Sequence, residues 1–424
     1  MASQAANQNV TNRWVIAAAG IVMQIALGAV YAWSVFRVPL AEAYGSGTSV
    51  SAVNTTFSIA ILSLGFAAFF GGLWMGRSGP RIVALTSGIL YGLGIFLASF
   101  AGPSLFILYL TYGLMAGIGI GLGYIVPLAT LIKWFPDKRG FITGLAVAGF
   151  GAGAVLTAPI AKQLVLSIGV FPTFAILGVI YLVMVVGAAL FMKNPPEGWS
   201  PEGWEPESTG ADGDGATADF ELGGALKSWQ WYALWAMLFL NVSAGIAIIV
   251  EADPIAQEIG GLSAATASTL VILISIGNGA GRFLWAWLSD AIGRKWVFFV
   301  MYLLQAVLFL LLPILGPTSF FLLAALCFII VSCYGGGFGT MPAFNADYFG
   351  PTNVGKIYGL MITAWGFGGV LGPILISYII DSTGSYTTAF YIIAGMLLVS
   401  SILPIIVRPP RQTDEAPATE GARA

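Results

Sequence analysis

Residues 144–157 read GLAVAGFGAGAVLT, and residues 359–372 read GLMITAWGFGGVLG. The two align without gaps at an offset of 215, with six identities: Gly144/Gly359, Leu145/Leu360, Gly151/Gly366, Gly153/Gly368, Val155/Val370 and Leu156/Leu371. The same offset pairs Pro127 with Pro342 and Trp134 with Phe349. A third match, GLWMGRSGPR (72–81) against AWLSDAIGRK (286–295), falls one residue short of that spacing. Glycine-rich apolar stretches align by chance to some degree, but three collinear matches at nearly one spacing point to an internal duplication.

Composition says what is duplicated. The 424 residues are 58% hydrophobic and 8% charged, with no histidine. A soluble domain carries about a quarter charged residues, so this chain lacks the polar surface to meet water and reads as a polytopic membrane protein. A hydrocarbon core of ~30 Å needs about 20 apolar residues per helix. On that basis twelve spans are expected, at about 14–39, 53–75, 82–101, 104–132, 139–163, 170–193, 228–252, 262–289, 296–315, 318–346, 355–381 and 386–407. Between the sixth and seventh, residues 194–227 hold eight acids and four prolines and read as a solvated linker. The expected organisation is an N-terminal half (1–193), the linker, a C-terminal half (228–407) and a tail (408–424). The fold class is all-α, twelve transmembrane helices in two parallel six-helix repeats. Parallel repeats place a substrate site near the midplane between the halves.

The apolar stretch from Trp14 to Leu40 is too long for a signal peptide and is expected to remain as a helix. With the N-terminus inside, fourteen of the seventeen basic residues fall on the cytoplasmic side, Arg411 and Arg423 among them. Only Arg37 and Lys162 lie near the outer side. This bias predicts a multi-pass protein of the cytoplasmic membrane with both termini in the cytoplasm.

Little in the chain invites catalysis. Cys327 and Cys333 lie inside an apolar run and offer neither a disulfide framework nor a zinc site. GFGAGA (149–154) imitates a dinucleotide loop, but no strand precedes it; GPTNVGKI (350–357) imitates a phosphate loop with isoleucine where serine or threonine is required. Without histidine, and with the carboxylates scattered in loops, no enzyme, metal or cofactor is expected. A net charge of −2 gives no reason to expect nucleic acid. Gly113, Gly117 and Gly121 line one helical face, a spacing that lets helix backbones pack closely in lipid.

One charge stands apart. In GNGAGRFLWAWLSDAIGRK (277–295), Arg282 lies eight residues before Asp290, about 12 Å up the helix at ~1.5 Å per residue, with Asn278 four residues further on the same face. An intramembrane charge normally faces the bundle interior and marks a substrate path. The alternative is an arginine that snorkels to the interface or pairs with Asp290. The functional reading is a fixed cation whose planar fork binds a carboxylate.

The two loop matches resemble the major facilitator superfamily pattern of glycine, three residues, aspartate-arginine, one residue, glycine and two basic residues. Gly72, Arg77, Gly79 and Arg81 match in the first copy, with Gly76 where aspartate is expected; Asp290, Gly293, Arg294 and Lys295 match in the second. The resemblance implies a gating latch of Arg77, Arg81, Asp290 and Arg294. GAVYAWSVF (28–36), WFPDKRG (134–140) and NGAGR (278–282) look like the oxalate/formate antiporter and monocarboxylate porter branch. That likeness implies that Tyr31, Tyr124, Tyr334 and Phe338 face a central cavity and that Arg282 binds substrate. It also marks departures. Trp365 stands where the oxalate/formate exchangers carry a second cation, and Asn278 where animal monocarboxylate porters carry an aspartate.

The expected function is therefore secondary active transport of a small monocarboxylate, such as lactate, pyruvate or formate, by a monomer using alternating access. Arg282 and Asn278 hold the carboxylate; Tyr31, Tyr124, Tyr334, Phe338 and Trp365 shape the pocket. Coupling to protons would need a buried carboxylate. Glu251 and Asp253, in IVEADP (249–254), and Asp381 are the candidates, Glu251 first because an apolar run leads into it. The alternatives are anion exchange of the oxalate/formate type and a non-transporting membrane sensor.

Overall fold

The computed structural model describes residues 11–45, 47–102, 104–203 and 219–410, and no strand occurs among them. Inside a bilayer no water is available to bond the backbone, so each segment satisfies its own amides as a helix. The first span is α1 (Arg13–Gly28), which tightens into a 3-10 turn at Ala29–Trp33 and continues as Ser34–Tyr44. Next comes an apparently continuous helix, Val50–Ala98, of 49 residues. At ~1.5 Å per residue that length is more than twice a ~30 Å core. It is two helices, α2 (50–78) and α3 (80–98), because Gly79 takes φ 78° and ψ 167° and Pro80 opens the second. The left-handed φ suits glycine, and proline tolerates the first helical position.

The first half is completed by α4 (Leu105–Trp134), which passes through a π-helical stretch at Tyr109–Ala116, then α5 (Arg139–Ile168) and α6 (Val170–Ala189). After a short helix, Leu222–Lys227, the second half runs α7 (Trp229–Val250), α8 (Ala264–Ile292), α9 (Arg294–Leu315) and α10 (Phe320–Phe349). It ends with α11 (Val354–Met361, resumed as Thr363–Thr383) and α12 (Tyr386–Ser400, extended by Leu403–Ile406). Eleven stretches are long and apolar enough to cross a membrane, and one of them, Thr55–Ala98, contains both α2 and α3. Divided at Gly79 they give twelve crossings. Several helices outrun their apolar windows, as α5, α8 and α10 do, because backbone hydrogen bonding continues into the interfacial layer. Residues 204–218, Arg411 and Arg423 lie outside the described residues.

Burial is inverted relative to a soluble protein. Phe321 is 82% and Val399 70% exposed on the outside, while Gln24, Asn241, Arg282 and Gln305 are fully enclosed. The surface is one that lipid, not water, covers.

The duplication reappears as geometry at the two crossings between halves, α5 with α8 and α2 with α11. A Cβ on Gly140 would meet the Ala286 carbonyl, and a Cβ on Gly72 would meet the Gly355 carbonyl. Gly144 abuts the Arg282 carbonyl at 3.0 Å, and Gly359 abuts that of Ala68 at 2.7 Å. Gly151 faces Gly279, and Gly65 faces Gly366. Each pair maps onto its counterpart by the offsets read from sequence, so the halves meet around a pseudo-two-fold axis. Gly113, Gly117 and Gly121 of α4 lie against Ile59, Ala60 and Leu64 of α2, which makes them packing glycines within the first half.

Candidate substrate site

Arg282 is held in place by its backbone. Its carbonyl is wedged between Gly144 of α5 and Gly339 of α10, where any side chain would collide. Gly335 lies in the same way on the carbonyl of Asn278, and Gly281 on that of Ser332, so α8 and α10 interlock over two turns. Small residues at this spacing bring helix backbones into contact and fix their register. The register sets Tyr334 and Phe338 of α10 beside Arg282.

The guanidinium is fully enclosed. Its Nε donates to Asn278 Oδ1 at 3.1 Å, while Nη1 and Nη2 make no hydrogen bond among the described residues. The Phe338 ring lies 5.0 Å and the Phe150 ring 5.8 Å from the guanidinium carbon. Such cation–π contacts supply about 0.5–2 kcal/mol, less than the several kcal/mol that enclosing a charge costs. Arg282 forms no ion pair among the described residues. Asp290, the acid considered as its partner, is taken by Arg294 at 2.6 Å. Snorkelling and pairing with Asp290 are therefore both set aside.

Around the arginine, aromatic rings from both halves form a closed box. Trp365 stands 5.1 Å from Phe338, 6.2 Å from Tyr31 and 6.2 Å from Tyr124. Phe150 meets Tyr31 edge-on at 5.6 Å and Tyr124 at 5.3 Å, and Tyr334 meets Phe338 at 5.2 Å. The hydroxyls of Tyr31, Tyr124 and Tyr358 are buried and make no well-formed hydrogen bond among the described residues, although Tyr124 and Tyr358 approach each other and Tyr31 approaches Arg282 and Tyr334. All seven residues expected from sequence thus come together. Phe150 and Tyr358 join them without having been among the residues expected from sequence. Phe150 was within reach, because the offset of 215 makes it the counterpart of Trp365. Tyr358 has Thr143 as its counterpart and carries no such signal.

Each half holds one site tyrosine by the same device. Gln24 of α1 donates to the Tyr124 carbonyl at 3.3 Å. Asn241 of α7 donates to the carbonyls of Cys333 and Tyr334 at 3.3 and 3.2 Å, and is itself held by Gln305 at 3.0 Å.

The expected latch is assembled differently from its motif. At the basic end of the bundle, Asp290 accepts from the backbone amides of Gly140 at 2.9 Å and Phe141 at 2.7 Å, the first turn of α5. A carboxylate there satisfies orphan N–H groups and favours the helix dipole. Arg294 also reaches Asp347, which takes Arg139 at 2.9 Å, so four charges from both halves are joined. Arg77 and Arg81 are exposed and form no ion pair among the described residues. Of the acids considered for proton coupling, Glu251 accepts from the Tyr386 hydroxyl at 2.8 Å, at the far end of the bundle from this network and away from the aromatic box. The side chains of Asp253 and Asp381 lie outside what is described.

Known proteins share this build. The sequence profile of the Major Facilitator Superfamily matches residues 18–252 and 232–424. The uncharacterized MFS-type transporter YhjX of Escherichia coli is 31% identical over 363 residues, 84% of this chain and 86% of that one. The oxalate:formate antiporter of Oxalobacter formigenes is 27% identical, with 95% and 94% covered, and monocarboxylate transporter 13 of Rattus norvegicus is 27% identical, with 89% and 84% covered. Among solved structures, the transporter FucP in its outward conformation superposes with a TM-score of 0.69 over 92% of this chain and 97% of that one, at 17% identity, which speaks to the fold alone. The chain is therefore a multi-pass membrane transporter, not an enzyme, and belongs to the major facilitator superfamily, in its oxalate/formate antiporter and monocarboxylate porter branch.

Proposed function

We propose that the chain carries small monocarboxylates of the lactate, pyruvate or formate type by alternating access, with Arg282 as the carboxylate clamp. The observation that carries this reading is the pair of guanidinium nitrogens, enclosed yet without an acceptor among the described residues. A carboxylate matches such a fork with two parallel hydrogen bonds. Asn278 holds the fork through Nε and keeps its own amide nitrogen for the substrate, a 2-hydroxyl included. With Trp365 opposite and no second cation among the described residues of the box, one carboxylate is the charge that balances the site. Phe150 joins Tyr31, Tyr124, Tyr334, Phe338 and Trp365 in limiting the size of the remainder. The anion carriers among the relatives support the same class of cargo.

In this reading the halves, 1–193 and 228–407, rock about the pseudo-two-fold axis, joined by 194–227 and followed by the tail 408–424. The basic end faces the cytoplasm of a cell whose cytoplasmic membrane holds the protein, and one chain suffices because all the site residues come from it. Proton symport is the favoured coupling, since an anion alone enters against an inside-negative potential. Glu251 is the first candidate carrier: protonation would leave Tyr386 with a neutral acceptor and loosen α7 from α12.

Uptake of labelled lactate into proteoliposomes tests the clamp. Arg282→Ala should lower uptake by about two orders of magnitude, the cost of ~2–5 kcal/mol for removing one partner of a desolvated charge pair, and Arg282→Lys should recover only part of it. Undiminished transport by Arg282→Ala would exclude the clamp. Uptake indifferent to collapse of a pH gradient would remove proton coupling. The second reading, anion exchange, is favoured by the resemblance to the oxalate:formate antiporter. It requires that uptake depend on preloaded internal anion.

A further inference from the structure

The two crossings between halves share glycines but not charges. At α5–α8, Asp290 caps the first turn of α5 directly. Its counterpart on α2 is Gly76, which has nothing to offer the first turn of α11. What lies across Gly76 is the aliphatic stem of Lys356 from that turn, with Cε 2.7 Å from where a Cβ would stand. The ammonium of Lys356 is taken by Glu221, from the end of the segment between the halves, at 3.4 Å.

That segment end makes a continuous seam with the α10–α11 loop. Asp219 accepts from the Thr352 amide at 3.0 Å and from its hydroxyl at 2.6 Å. The amide of Phe220 donates to the Phe349 carbonyl at 2.9 Å, and its ring meets that of Phe349 at 5.7 Å. Asn353, the residue that precedes α11, donates to the Phe220 carbonyl at 2.9 Å and to Glu221 at 3.4 Å. Asp219 also lies within electrostatic reach of Lys133 at the end of α4, in the opposite half. Two carboxylates therefore sit at the N-terminal end of α11, where the helix dipole favours negative charge.

We infer that Asp219, Phe220 and Glu221 form a strap that replaces the carboxylate missing at Gly76 and holds the basic end closed on the α2–α11 side. The strap orients Lys356 across Gly76 and sets Asp219 toward Lys133, so it ties α11 to both α2 and α4. Closure of one gate thus runs through the helix itself, by Asp290, and closure of the other through the connecting segment. Any process that lifts the segment releases the second gate and leaves the first intact.

Spin labels on Arg77→Cys and Ala291→Cys, one exposed site in each half at the basic end, report its opening by pulsed dipolar distance measurement in nanodiscs. The native thiols Cys327 and Cys333 are buried and escape labelling. The isosteric pair Asp219→Asn and Glu221→Gln, both at the protein surface, should raise the longer-distance population several-fold. Adding Gly76→Asp to that background should restore the short distance by supplying the carboxylate on α2, against Lys356. A distance distribution unchanged by the double variant overturns the strap, and opening that Gly76→Asp leaves uncorrected overturns the replacement of the missing acid. Neither outcome depends on which anion is carried.

Discussion

The crossing of α5 with α8 and the crossing of α2 with α11 are built on the same three glycine levels. They nevertheless do different work. One carries Arg282 and Asp290; the other carries Ala68 and Gly76 at the corresponding places and borrows its acids from the connecting segment. Duplication supplied a symmetric frame for rocking. Substitutions at two positions then placed the buried arginine and the direct latch on one side only. A transporter for an anion with one charge needs one clamp, so the asymmetry follows from the cargo proposed.

Three sets of variants would sharpen or break this comparison. The largest effects are expected at the glycines. Gly144→Ala and Gly359→Ala should destabilise alike, by about 1–3 kcal/mol of overpacking, since each new methyl would stand 2.7 Å from a neighbouring atom. Gly151→Ala and Gly366→Ala should differ: the first meets Gly279 at 3.0 Å, the second meets nothing within 4 Å. Thermal unfolding in detergent measures both pairs; equal losses at Gly151 and Gly366 would contradict the asymmetry.

The next effect concerns the direct latch. Asp290→Asn removes the charge that favours the α5 dipole and the ion pair to Arg294, about 1–2 kcal/mol together. A tenfold shift in an equilibrium is about 1.4 kcal/mol, so the ratio of open to closed at the basic end should rise about fivefold to thirtyfold by the same distance measurement. No change would mean that the charge does not bear on gating.

The smallest effect separates the two tyrosine supports. Asn241→Ala removes two hydrogen bonds to α10 and the one it accepts from Gln305, whereas Gln24→Ala removes one bond to Tyr124. At about 1 kcal/mol per net hydrogen bond, Asn241→Ala should weaken substrate binding several-fold more than Gln24→Ala, with the conservative Asn241→Gln between them. Equal dissociation constants for the two alanine variants would show that the supports are interchangeable.

Much of the site is legible in the sequence. Arg282 stood out because its apolar surroundings made the charge costly, and Asn278 followed from helical periodicity. The resemblance to anion porters picked out the tyrosines, Phe338 and Trp365, and all of them gather around the arginine. Phe150 was hidden by its ordinariness, one phenylalanine among 28, and only the repeat offset distinguishes it. The latch was half legible. Asp290 and Arg294 belong to it, but Asp347 and Arg139, 208 residues apart, join it through a contact that no local pattern announces.

By itself, the sequence determined the solvent, the duplication and the count of buried cations. These are sums and periods, and the hydrophobic effect acts on them wherever the residues lie along the chain. Only the tertiary structure decided the partners. Asp290 could have faced Arg282 eight residues away, yet it turns to the first turn of α5, 150 residues distant, because the glycines bring those helix ends together. The same geometry leaves Arg282 without an acid among the described residues and gives Asp219 and Glu221 of the connecting segment a place at α11. Charges pair by distance in space, and that distance is set by how closely the helix backbones can approach.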